Sequence, residues 1–310
     1  MVERYRKGLQ KSGAALSLTP RERSFMDLTE KLGKSFVITT ELGPVKGSQS
    51  SESLEKAKNY LPLDGINVHD CPMGNLRINS IAMSVLLQQQ LKIAAIPHFT
   101  CRDRSLLGTQ ADLLGAHALG IRNLLVTTGD PPKHGPYPSK PVYDYNTLEL
   151  VALIKKMNRG LDFNDKEFGG HTDFKVSCTA LPTAKDLGHE IERMARKVKA
   201  GADFFQTQVV YDIDRTLNFL EKAKALKKPV LIGLMPLKSV KMARFVNDNV
   251  QGIDVPEEII DRMENGGASG VDITCEFIKE VRPYIDGIHI MAMGDIAGTN
   301  RIIEFARSFD

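Results

Sequence analysis

The chain has 310 residues, 42% of them hydrophobic and 25% charged, a mixture that excludes collagen-like, coiled-coil and disordered readings. Lys and Arg number 41 and Asp and Glu 38, and the resulting net charge of +3 is too small to point to nucleic acid or an anionic membrane as a partner. No stretch approaches the roughly 18 apolar residues of a membrane span, and the basic segment 1–10 is not followed by a signal-peptide-like apolar run, so a cytoplasmic protein is expected.

In chain order, residues 1–34 read as an N-terminal helical extension and 35–310 as one α/β domain. Short apolar, β-branched runs at 35–41, 65–70, 94–100, 123–128, 175–180, 204–208, 230–234 and 287–291 read as eight strands. Between them lie segments of helical period, clearest at 106–119 and 190–200, each stopped by a glycine, Gly120 and Gly201. The two joins HALGIRN (117–123) and VKAGADF (198–204) are near-copies, as a βα repeat produces. No G-x-G-x-x-G follows any strand, so the pattern favours a closed (β/α)8 TIM barrel over an open dinucleotide-binding sheet. The segment 157–173, rich in Gly, Asp and Asn, is a long loop of the kind that is usually functional or mobile.

Cys71, Cys101, Cys178 and Cys275 form no C-x-x-C pair, so the local sequence carries neither a zinc nor an iron–sulfur site; reduced thiols and no bound metal are expected.

In such a barrel the strand C-termini form the active face, and the polar residues there are Glu41, His69, Asp70, His98, Thr100, Thr127, Thr128, Gly129, Asp130, Thr179, Gln206 and Gln208. Glu41 and Asp130 would share one mouth of low dielectric, where one carboxyl could be raised into a general acid. His98, in PHFTC, reads equally well as a hydrogen-bonded core residue or as a ligand. Gly129 would let backbone approach a bound group, and the prolines after Asp130 would stiffen the loop. Gln206 and Gln208 face the same way on their strand, suited either to a heterocycle with mixed hydrogen-bonding edges or to an internal network. Arg102, Arg104, Lys133, Arg193, Arg196 and Lys197 are the basic residues that could reach a phosphate.

These residues sit in stretches, ITTELGP, PHFTCRDRS, GIRNLLVTTGDPP, PVYDYNTLEL, AGADFFQTQVVYD and GLMPLKS, that resemble the methylenetetrahydrofolate reductase family from about Phe36 to the C-terminus. The resemblance extends to stand-alone reductases of anaerobes and to the reductase half of bifunctional methyltransferases. It implies a flavoprotein barrel that reduces 5,10-methylenetetrahydrofolate to 5-methyltetrahydrofolate, with NADH or NADPH as donor. It implies Glu41 as the acid that protonates N10 during ring opening, Asp130 as the charge beside flavin and folate, and Gln208 as a folate contact. His69, Asp70, His98, Thr128, Gly129, Asp130, Tyr143, Asp144 and Lys197 fall at positions implied to hold the flavin, Lys197 as a phosphate contact.

The chain departs from the family pattern at Thr128, where the R-G-D form of the loop has arginine, at Leu181, where a tyrosine is expected, and at Met242, where the folate-side glutamine is expected. The resemblance implies FAD as the flavin, with FMN the alternative that the first two departures raise. The tail 290–300 differs from members ending strand eight in an asparagine–arginine pair, and 291–298 reads as a loop closing the mouth. A homo-oligomer is expected. Other readings are a subunit fed by a partner carrying zinc or iron–sulfur centres, a flavin-free enzyme passing hydride directly or acting as a lyase, and a non-enzymatic folate-binding subunit.

Overall fold

The computed structural model describes residues 27–131, 135–250 and 252–310. The helical extension expected over 1–34 falls mostly outside them. Eight parallel strands, β1 (Val37–Leu42), β2 (Gly65–Val68), β3 (Ala94–Thr100), β4 (Asn123–Thr127), β5 (Lys175–Ala180), β6 (Phe204–Val209), β7 (Val230–Leu234) and β8 (Gly287–Ile290), pair in sequence order and close into a barrel. Each lies within two residues of its expected bounds because such strands are buried on both faces and are written as short apolar runs. Closure is made by β8 against β1, with Val37 opposite Gly287 and Thr40 opposite Ile290. A Cβ at Gly287 would collide with the Val37 carbonyl, so the seam requires a residue without one.

The helices are α1 (Ser51–Lys58), α2 (Ser80–Leu91), α3 (Leu106–Ala118), α4 (Thr147–Met157), α5 (Leu187–Ala200), α6 (Ile213–Ala223), α7 (Val240–Asn249), α8 (Glu257–Glu264), α9 (Gly270–Val281) and α10 (Ile296–Arg307). Helix α5 starts three residues before the expected 190 because the Asp186 carboxylate accepts from His189 N and caps it, and it stops at Gly201 with φ of 120°. The simple βα alternation fails once: three helices, α7 to α9, separate β7 from β8.

The loop 157–173 lies between β4 and β5, as expected. It follows a helix and precedes β5, so it lies at the N-terminal end of the strands, opposite the mouth. Asn158 pins it there: its Oδ1 accepts from Thr172 Oγ1 at 2.7 Å and from Phe174 N at 2.9 Å, while Lys156 pairs with Asp165 at 2.9 Å. The long connection on the mouth side is 128–146, between β4 and α4.

Alternation sends every second side chain into the bore. At its N-terminal end Val37, Ala94, Ile96, Leu125, Phe204 and Leu231 pack with Leu28 and Leu32, which precede the first strand. Leu28, 1% exposed, closes the floor, and its amide donates to Asn123 Oδ1 at 3.2 Å. The apolar floor leaves the polar positions of the same strands to the upper bore and the mouth. Leu28→Ala should cost about 2–5 kcal/mol in urea unfolding, whereas Leu107→Ala, at a position 77% exposed, should stay within about 0.5 kcal/mol. Equal effects would remove Leu28 as the floor.

Candidate active site

Parity places Glu41, His69, His98, Thr127, Thr179, Gln206, Gln208, His289 and Met291 on the inward side of their strands or just past their ends. They surround the C-terminal opening of the barrel, where a cavity of about 430 Å³ is lined by Glu41, His98, Gln206, Gln208 and His289 together with the apolar Leu125, Leu181 and Met291. A wider hollow of about 790 Å³ lies at the other end of β7, edged by Lys224, Lys227 and Lys228, and no histidine lines it.

In the upper bore, Asn67 and Gln206 exchange amide hydrogen bonds of 2.7 and 3.3 Å, and Asn67 Nδ2 lies 3.2 Å from His98 Nε2. That contact assigns the His98 proton to Nδ1. Thr39 Oγ1 lies 2.9 Å from His289 Nδ1. Above this layer Glu41 Oε2 sits 2.8 Å from His69 Nε2, and the His69 ring packs on His98 with centroids 5.0 Å apart. Gln206 thus belongs to the internal network. Gln208 has its Oε1 engaged by Val209 N at 3.0 Å, leaving its NH2 to donate into the cavity.

The ionisation pattern departs from the expected raised carboxyl. Burial pushes Glu41 up, but the hydrogen bond from His69, the His69 charge and His289 outweigh it and hold Glu41 below the ordinary 4.5. Burial pushes His69 down, yet the bond to Glu41 and its charge lift it above 6.5, with Arg77 opposing and Asp130 assisting. His98 is held well below 6.5 by burial, with His69 and His289 adding to the effect. His289 is lowered to about 4, by burial above all. Between the lowered Glu41 value and the raised His69 value the mouth therefore carries a charged pair, Glu41 and His69, and the two neighbouring imidazoles favour their neutral forms.

Asp130 does not share this environment. It is exposed, and its Oδ2 accepts from Met73 N at 2.7 Å, tying the loop after β4 to the loop after β2. Asp70 points to the outer side of β2, where it takes Thr100 Oγ1 at 2.9 Å and Arg104 at 2.6 Å. Thr128 reaches Thr147 Oγ1 at 2.9 Å, and the Tyr143 hydroxyl donates to the Gly129 carbonyl at 3.3 Å. Asp144 accepts from Leu106 N at 2.9 Å, at the start of α3. Lys197 is buried behind β5, its Nζ donating to the Thr179 carbonyl at 2.6 Å, and burial lowers it to about 8. Of the residues singled out in the sequence, Glu41, His69, His98 and Gln208 come together; Asp70, Thr128, Asp144 and Lys197 are engaged outside the cavity.

The basic residues considered as phosphate contacts are mostly committed elsewhere. Arg104 bridges Asp70 and Asp112. Arg102, 2% exposed, pairs with Asp103 and donates to the carbonyls of Asp70, Cys71 and Asp130, joining the loops after β2, β3 and β4. Arg193, four residues before Lys197 and therefore on the same helix face, reaches the cavity wall while paired with Glu190. Lys133 lies outside the described residues. His289, Asn67 and Met291 carry no motif; alternation within GIHIM and GINVHD was the only signal for them.

Fold and mouth together define the class: a (β/α)8 barrel whose C-terminal face joins a carboxylate–imidazole pair to an amide-lined cavity. The family model described as methylenetetrahydrofolate reductase matches residues 26–306, and the chain belongs to that family. Methylenetetrahydrofolate reductase 1 of Schizosaccharomyces pombe is 24% identical over 237 residues, 71% of this chain and 36% of that protein. Methylenetetrahydrofolate reductase 2 of the same yeast is 25% identical over 283 residues, 84% of this chain and 43% of the relative, so the chain spans less than half the length of both. A solved Clostridium thermocellum protein, described as uncharacterized and as binding two copies of 5-methyl-5,6,7,8-tetrahydrofolic acid, shares the fold with a TM-score of 0.63 at 16% identity, covering 89% of this chain and 95% of its own. Among the described residues, no helix is long and apolar enough to cross a membrane.

The charged pair has a testable signature. His69 should titrate above 6.5 by NMR, and in Glu41→Gln its midpoint should fall, because burial, the largest influence, and Arg77 are then opposed only by Asp130. Linkage gives the matching stability profile. The Glu41 contribution is lost as pH falls through its lowered value, and the His69 contribution as pH rises through its raised one. The stability gap between wild type and Glu41→Gln should therefore be widest between the ordinary values of 4.5 and 6.5; a flat gap would contradict the pairing.

Proposed function

We propose that this chain reduces the methylene carbon of 5,10-methylenetetrahydrofolate to the methyl of 5-methyltetrahydrofolate, as a single cytoplasmic barrel over 35–310. The observation that carries this reading is Glu41 at the edge of an amide-lined cavity, with Oε2 on His69 and Oε1 without a hydrogen bond among the described residues. Family membership supports the reaction, and the folate bound by the Clostridium thermocellum protein supports the substrate class.

Opening the imidazolidine ring requires a proton at N10 as the bond from N10 to the methylene carbon breaks. Glu41 is the group placed to deliver it, since Oε1 is the carboxyl oxygen left for substrate. The Gln208 NH2 donates to the acceptor edge of the pterin. Leu125, Leu181 and Met291 cover ring faces and exclude water, which strengthens every polar contact inside the cavity.

The same walls suit a flavin ring, since apolar faces alternate with amide and imidazole edges. His98 and the Gly129–Tyr143 contact would lie against it, while Thr128, Asp144 and Lys197, engaged outside the cavity, would brace the surrounding loops and strand β5 rather than touch it; FAD and FMN are both compatible with this arrangement. A flavin bound there would supply the hydride that the methylene carbon needs, with NADH or NADPH as the source of its electrons. Asp130, at the exposed rim, adds negative charge on the side where the substrate becomes cationic. Association with a further copy, or with an electron-carrying subunit, belongs to this proposal as an extension and not to its chemistry.

Glu41→Gln should lower formation of 5-methyltetrahydrofolate by about 100-fold or more, followed by chromatography of the product, while 5-methyltetrahydrofolate still binds. A variant within a few-fold of wild type would remove Glu41 from the chemistry.

A further inference from the structure

We propose that His69 holds the proton used in ring opening and supplies it through Glu41. The inference rests on the reductase reading of the mouth and concerns where the proton resides. A carboxylate held ionised by an adjacent cation is a poor acid at neutral pH unless something returns its proton, and the geometry names what does: His69 Nε2 at 2.8 Å from Glu41 Oε2.

The groups facing His69 favour this role. Glu41 on β1 and Asp130 on the loop after β4 stabilise an imidazolium, and Arg77 on the loop after β2 opposes it. His98 on β3 packs against the ring at a tilt of 45° and His289 on β8 lies beside Glu41, but burial favours the neutral form of both, so neither competes for the proton. The Tyr60 phenol, also near Glu41, is pushed up by burial and by that carboxylate and stays protonated. The pair is only partly covered, with side chains 14% and 22% exposed, and it stands at the cavity where substrate would arrive.

The step balances without a further reactant. The N–H bond of His69 Nε2 breaks and an O–H bond forms on Glu41 Oε2; a turn of the carboxyl about its broad terminal torsion presents that O–H to the cavity. The O–H then breaks as N10–H forms, the electron pair of the N10–methylene bond goes to N10, and the N5 lone pair makes the C=N bond. The pair begins with no net charge and ends as a carboxylate beside a neutral imidazole. A counter-ion therefore develops in the mouth at the moment the substrate becomes an iminium cation. No net charge is created in the low-dielectric site, only moved.

The test compares the pH dependence of the folate half-reaction, followed as single-turnover formation of 5-methyltetrahydrofolate, in wild type, His69→Asn, His69→Gln and Glu41→Gln. In wild type the rate should fall as pH rises through the His69 midpoint measured by NMR on the same protein. Both His69 variants should lose about tenfold or more at pH about 7.5 and recover to within about threefold at pH about 5.5, where Glu41 takes up its own proton. A purely structural role would lower the rate equally at both pH values. Profiles of unchanged shape in the His69 variants, or a wild-type rate limb that does not coincide with the His69 titration, would overturn the proposal. The wild-type comparison holds even if the variants fold poorly. If Glu41→Gln is inactive and the His69 profiles match wild type, this inference alone fails; if Glu41→Gln is fully active, the reductase reading of the mouth fails with it.

Discussion

Alternation of side chains along strands that must close on themselves is the constraint from which the rest of this molecule follows. Once β8 pairs with β1, every second residue of eight strands is committed to a bore that solvent cannot reach from the sides. The chain fills the lower bore with Leu28, Phe204 and Leu231 and their neighbours, and uses the upper positions for Asn67, Gln206, His98 and His289, whose hydrogen bonds run mostly among themselves. The rim then receives Glu41 and His69 without choice of direction: Leu42 and Asp70, one residue on, face the helices.

Placing a carboxylate and an imidazole there costs desolvation on both sides, and the cost is offset only because each is the other's partner. Two more imidazoles nearby would repel a shared positive charge, and burial removes that conflict by keeping them neutral. Outside the cavity the charged residues do different work. Arg102 and Arg104 tie the strand-end loops through Asp70, Asp103 and backbone carbonyls, and Asp130 holds Met73. The rim is thus stitched from outside by guanidinium groups while its inner face is left for a ligand.

Much of the fold was legible in the sequence because the strands of a barrel are apolar on both sides, and their runs stand out between glycine-stopped helices. The parts that composition leaves open are those where length and position decide. The Gly- and Asp-rich segment 157–173 has the look of an active-site loop, but it follows α4 rather than a strand, and that order alone sends it to the far end. The extra helices α7 and α8 occupy an unusually long β7–β8 connection, visible as length but not as a strand pattern.

In the site, Glu41, His98 and Gln208 could be read from strand ends, and the distinction between His69 and Asp70 needed only parity. His289, flanked by Ile288 and Ile290, had no motif to mark it. The burial of Lys197 and the His69 contact that reverses the direction of Glu41 are tertiary facts, set by residues far apart in sequence.

The central claim is that this mouth converts methylenetetrahydrofolate to the methyl form using electrons delivered through a bound flavin. The most direct measurement is the anaerobic visible spectrum of the purified, flavin-loaded chain, recorded after addition of NADH or NADPH and again after addition of 5,10-methylenetetrahydrofolate, with the folate product identified. The account predicts that the flavin band bleaches with the nucleotide, returns with the folate, and yields 5-methyltetrahydrofolate in equal amount. A chemically reduced flavin that the folate leaves reduced, with no methyl product, would contradict it.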